Sequence, residues 1–126
     1  MTEQAFDVGL LNRSILGETR NLVPLNIHSN AYEASRVVKT GTGILYGFTV
    51  YSSKVSAQFI QVFDASTLPA DGAIPGPFFT VSAASNLGVN WLPGRTFQNG
   101  CVIVNSSTGP TKTIGSADCW FDAQYI

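Results

Sequence analysis

From Ser35 onward the chain repeats one phrase, a short apolar run followed by a turn. The clearest run is ILYGFTVYS, residues 44–52. Strict alternation would put Ile44, Tyr46, Phe48 and Val50 on one face and Leu45, Gly47, Thr49 and Tyr51 on the other. That is the period of a half-buried strand, and its aromatic and β-branched residues suit one. SRVVKT precedes it, closed by Gly41-Thr42-Gly43. AQFIQVFD, PFFTVSA and LGVNW follow, the last ended by Leu92-Pro93-Gly94. RTF is short and meets Asn99-Gly100, a strong hairpin signal. CVIVNSS has four consecutive apolar residues, which predicts burial on both faces. DCWFDAQYI is the final strand. Seven or eight short strands with a turn signal about every 8–12 residues predict an all-β fold. The expectation is a single-domain antiparallel β-sandwich, jelly-roll-like, over residues 35–126.

Residues 1–34 read differently. Their apolar patches are cut by polar residues and by Pro24, with neither helical nor alternating period. The expectation is an extended N-terminal arm, with room for one short strand near residues 22–27. It carries Leu10, Leu11, Ile15, Leu16, Leu22, Val23, Leu25 and Ile27. These aliphatics must be buried on the chain's own body or on a partner, so they are the candidate partner-binding residues.

Charge narrows the function classes. Only 12% of residues are charged, about half of the usual ~25%. Net charge is −1, which provides no electrostatic basis for binding nucleic acid or an anionic membrane. The start MTEQAFDVG has neither a basic segment nor an apolar one, so synthesis in a host cytoplasm is expected. Cys101 and Cys119 then start reduced and read as small buried hydrophobes.

No catalytic or metal-binding constellation emerges. His28 is the sole histidine, and no G-x-S-x-G turn accompanies it. The G-x-G of TGTGILYG precedes a strand, whereas a dinucleotide fingerprint needs a helix there. Asp64 and Asp71 sit in VFDASTLPADGAIPGP, where aspartate beside glycine or proline makes turns. Asp118 and Asp122, four apart on the last strand, would share a face. No enzyme, metal or cofactor is expected. Trp91, Trp120, Tyr46, Tyr51 and Tyr125 could instead form an aromatic platform for sugars, although aromatics in alternating strands are more often core.

Three stretches resemble a family of small structural proteins of tailed bacteriophages. They are SRVVKTGTGILYGFTVYSS, AQFIQVFDASTLPADGAIP and GCVIVNSSTGPTKTIGSADCWFDAQYI. The resemblance covers most of residues 35–126 and carries no catalytic motif. It implies a non-enzymatic capsid decoration, or cement, protein on the virion surface. Its implied partner is the major capsid protein, and a homotrimer is the preferred state. The alternatives are a neck, tail or head-fibre component, or a carbohydrate-binding module.

Overall fold

The computed structural model describes residues 23–126. Its eight strands are β1 (Leu25–His28), β2 (Ser35–Thr40), β3 (Gly43–Ser52), β4 (Gln58–Phe63), β5 (Phe78–Val81), β6 (Ser85–Phe97), β7 (Gly100–Ser106) and β8 (Cys119–Tyr125). One sheet has the order β1-β8-β3-β6 and the other β2-β7-β4-β5, with every pair antiparallel. Every connection but β4–β5 passes from one sheet to the other. That order, wound from both chain ends inward, is a jelly roll.

The sheets face each other across one apolar core. β3 supplies Leu45, Phe48 and Val50, β4 supplies Ile60 and Val62, and β8 supplies Cys119, Phe121 and Ala123. Phe48 packs against Phe79 and Trp91, with ring centroids 6.2 and 6.0 Å away. The simple alternation expected for β3 breaks at one point. The register shifts between Leu45 and Gly47, so Leu45 joins Phe48 and Val50 in the core while Tyr46 stays half-buried. Against β8, Leu45 faces Tyr125 and Gly47 faces Gln124, so Tyr46 is an extra, bulged residue in β3 itself. Against β6, Gly47 faces Asn90 and Leu45 faces Arg95, which leaves residues 91–94 bulged opposite Tyr46. LGVNW and RTF are therefore one interrupted strand rather than two.

The expected boundary at residue 35 also moves. β1 pairs with β8 from Leu25↔Tyr125 to His28↔Asp122. The following turn is clasped to β8 as well. The Phe121 amide donates to Ser29 Oγ at 2.8 Å, Ser29 Oγ donates to Glu33 at 2.6 Å, and Glu33 and Cys119 exchange backbone hydrogen bonds. Residues 25–34 thus belong to the sandwich and not to an arm. The short strand expected near residues 22–27 is β1, and what the sequence lacked was its pairing with β8.

The two sheets differ in what covers their outer faces. The β4–β5 crossover (residues 64–77) and the β7–β8 loop (residues 107–118) fold over the β2-β7-β4-β5 sheet. Phe63, Val102 and Val104 form a second small core there, with Ala65 and Ala73 against them. This is why every residue of β7 is buried, as the CVIV run predicted. Gln61 anchors the cover, its Nε2 donating to the carbonyls of Thr108, Gly109 and Thr111 at 2.8–3.0 Å. The outer face of β1-β8-β3-β6 has no such cover among the described residues.

Candidate functional site

The aspartates flagged in the β4–β5 crossover are structural. Asp64 accepts from the backbone N–H groups of Gln98, Asn99 and Gly100, the shortest at 2.7 Å. It closes the β6–β7 turn. Asp71 accepts from Lys112 Nζ at 2.5 Å and from the Ile114 amide at 3.1 Å, which ties the two covering loops together. Backbone hydrogen bonds between Gly72 and Lys112 and between Lys112 and Ala73 continue the tie. The Gln98 and Asn99 amides pull the Asp64 carboxyl below its ordinary range, and the Lys112 hydrogen bond does the same for Asp71. A carboxyl held low stabilises the fold above its unfolded value of 3.8, and that stability is lost as pH falls through the lowered one. The urea midpoint is therefore expected to stay level to about pH 5 and to drop below about pH 4. The drop should be smaller in a D64N/D71N double variant. An identical acid profile in both proteins would remove these carboxyls from the account.

The remaining candidates separate further. Asp118 lies just before β8 and faces Lys54 at 3.9 Å, whereas Asp122 is on the strand's outer face. The two do not form the pair expected from their spacing, because β8 begins only at Cys119. Cys101 and Cys119 are buried and unbridged. Burial pushes their thiols up to about 12 and about 11, so neither is a thiolate at neutral pH. Among the described residues no three His, Cys, Asp or Glu side chains could share a metal ion. A cleft between the sheets, bordered by Asp64, Gly76, Arg95 and Phe97, holds about 120 Å³. Ligand pockets usually span roughly 300–1,000 Å³.

The partner-binding aliphatics also divide. Leu10, Leu11, Ile15, Leu16 and Leu22 lie outside the described residues. Val23 and Leu25 are exposed. Ile27 turns inward and packs on the core, so it is withdrawn from partner binding.

The open outer face is built by strand alternation. On β8, Cys119, Phe121 and Ala123 point inward, so Trp120, Asp122 and Gln124 point outward. Strand register lines up rows across the sheet. Trp120, Tyr51 and Asn86 form one row. His28, Asp122, Thr49 and Gly88 form the next, and Asn26, Gln124, Gly47 and Asn90 the third. Gln124 Nε2 donates to Asn26 Oδ1 at 2.8 Å and to Asp122 Oδ1 at 3.3 Å, so the polar side chains are held in place. His28 Nδ1 is 2.8 Å from the Ser29 carbonyl, to which it donates. Tyr32 meets Trp120 edge to face, with centroids 5.7 Å apart and planes at 84°.

Of the five aromatics read as a sugar platform, Trp91 and Tyr125 pack on the core, and Arg95 covers Trp91 at 5.6 Å. Tyr46 and Tyr51 are half-buried, and Trp120 remains exposed. Sequence reading found Trp120 and Tyr51 but missed Asn26, Thr49, Gly88, Asn90 and Gln124. The usable signal was the polar phase of CWFDAQY. Comparison with protein-family models, curated proteins and solved structures found no match.

Proposed function

We propose that this chain is a non-enzymatic virion structural protein that decorates a capsid shell and braces it from outside. The supporting observation is two strongly exposed aliphatics whose segments both border Arg95, on a surface that also leaves Val55, Val23 and Leu25 open to solvent. Leu92, at the β6 bulge, is 96% exposed, and Ile74, in the β4–β5 crossover, is 80% exposed. Both segments border Arg95, which follows the bulge in sequence and whose Nη2 lies 3.3 Å from where a side chain on Gly76 would begin. Pro75, next to Ile74 in the loop, is buried, so it stiffens this surface without contributing to it. Burying each aliphatic against a partner would contribute roughly 1.5–3 kcal/mol. A shell offers many copies of the partner site, and avidity multiplies a modest single contact. The low charge suits crowding at high copy number, and the resemblance to phage structural proteins points the same way.

The test is co-sedimentation of purified protein with capsids that lack it, followed by imaging. Ordered density at threefold or quasi-threefold positions is the expected result and would also give the oligomeric state. A Leu92→Asp/Ile74→Asp variant should bind at least about tenfold more weakly, roughly the 1.4 kcal/mol that separates decades of affinity, with an unchanged melting temperature. Truncation adds a second arm to the test. Removal of residues 1–22 should leave the described sandwich intact, whereas removal of residues 1–34 also deletes β1 and exposes the β8 edge. The longer deletion should therefore melt well below the shorter one. Absence of the protein from shells at saturating concentration would end the decoration reading.

A further inference from the structure

We infer that the outer face of the β1-β8-β3-β6 sheet is a binding site for a neutral oligosaccharide, seated across the strands. Three register rows shape the site. Thr49, Asp122 and Gly88 form a floor. On one side stand Trp120 and Tyr51, and on the other Gln124, Asn26 and Asn90. Trp120 and Gln124 are four residues apart on one strand, about 13 Å at ~3.3 Å per residue. Four strands at ~4.8 Å spacing make the row about 14 Å long. The floor is low at its β6 end. Gly88 has no side chain, and a Cβ there would meet nothing nearer than Thr49 Cγ2 at 3.8 Å.

The chemistry of this trough selects its occupant. Its outward residues include no lysine or arginine and one carboxylate, Asp122. An anionic ligand would find no counter-charge, and a cationic peptide would find only one. The rows instead offer amides, a hydroxyl and an imidazole, groups that donate and accept together. Sugar hydroxyls need such partners, while the C–H face of a pyranose packs on an aromatic ring. Protein-binding patches are usually apolar at the centre, whereas here the apolar groups stand at one side and the centre is polar. Gln124, fixed by Asn26 and Asp122, is a pre-ordered hydrogen-bonding group, which lowers the entropy lost on binding. Leu92 follows Asn90 by two residues on β6 and borders this face, but the site is argued from the three rows and not from Leu92 or Ile74.

The test uses the full chain and a panel of neutral oligosaccharides, namely β-glucan, α-glucan and galactan fragments at millimolar concentration. Binding is read by calorimetry and by tryptophan fluorescence. Trp120 is exposed to report occupancy, and Trp91 is packed away from it. At least one fragment is expected to bind and to protect Trp120 from a soluble quencher. Trp120→Ala and Gln124→Ala should each weaken binding at least about tenfold. Gly88→Leu should abolish it with the melting temperature retained, because the site has room for a side chain on the protein but not under a ligand. No binding by any fragment, equal binding by the Gly88→Leu protein, or a preference for sulfated over neutral glycans would each overturn the inference.

Discussion

Phe48→Ala is expected to destabilise the domain by about 3–5 kcal/mol, the usual range for removing a buried phenylalanine ring. Phe48 is 1% exposed and sits on β3, the strand that joins β6 to β8. Its ring touches Phe79 from the opposite sheet and Trp91 from the same one, and these two are themselves 6.2 Å apart. Deletion therefore empties the centre of a three-ring cluster that bridges the sheets. Large aromatic neighbours held by strand backbones collapse poorly into such a gap, which places the loss in the upper part of the range. Thr49→Ala is the control, one residue away on the outer face, and should change stability by no more than about 0.5 kcal/mol. Urea denaturation measures both. A loss below about 1 kcal/mol for Phe48→Ala would mean that the sheets are not held together at this cluster.

Gly100→Ala is expected to cost about 3 kcal/mol, from steric overlap and backbone strain together. Gly100 has φ +152°, and a Cβ there would lie 2.4 Å from the Ala65 carbonyl oxygen and 2.8 Å from Ser66 Cα. Both are backbone atoms, so no side chain can turn aside. To make room, the β6–β7 turn must leave the crossover, which breaks the Ala65 amide's hydrogen bond to the Gly100 carbonyl and the Asp64 cap. Gly72 is the discriminating comparison. Its φ is +95°, yet a Cβ there would meet nothing within 4 Å. Gly72→Ala should cost only the conformational part, about 1 kcal/mol. Equal losses at the two glycines would show that dihedral strain, and not the close approach at Ala65, decides the effect.

Asp64 caps the same turn that Gly100 forms. Phe48 belongs to the core between the sheets, whereas the acid and Gly100 effects depend on the crossover and the β7–β8 loop lying on one sheet. That asymmetry also frees the opposite sheet to bind. A jelly roll with both outer faces covered would have no candidate surface beyond its edges and loop tips.

Local sequence determined the strands and most of the turns. Alternation in ILYGFTVYS, four apolar residues in CVIV and the Asn99-Gly100 turn each reflect interactions within a few residues, so they are legible without a fold. Asp64 and Asp71 were read as local turn residues, but their carboxylates hold groups 34–43 positions away that only the fold brings to them. Three things were decided only by tertiary structure. The β3 bulge at Tyr46 shows only in its register against β8 and β6, so Ile44 and Phe48 do not share a face as simple alternation implied. The short strand expected near residues 22–27 became part of the sandwich only through its pairing with the β8 edge. The binding face consists of residues from four strands spread over 26–124, brought into rows by pairing register. Periodicity says which residues of one strand share a side. Only the closure of the two sheets, and the loops that cover one of them, decides which side faces water.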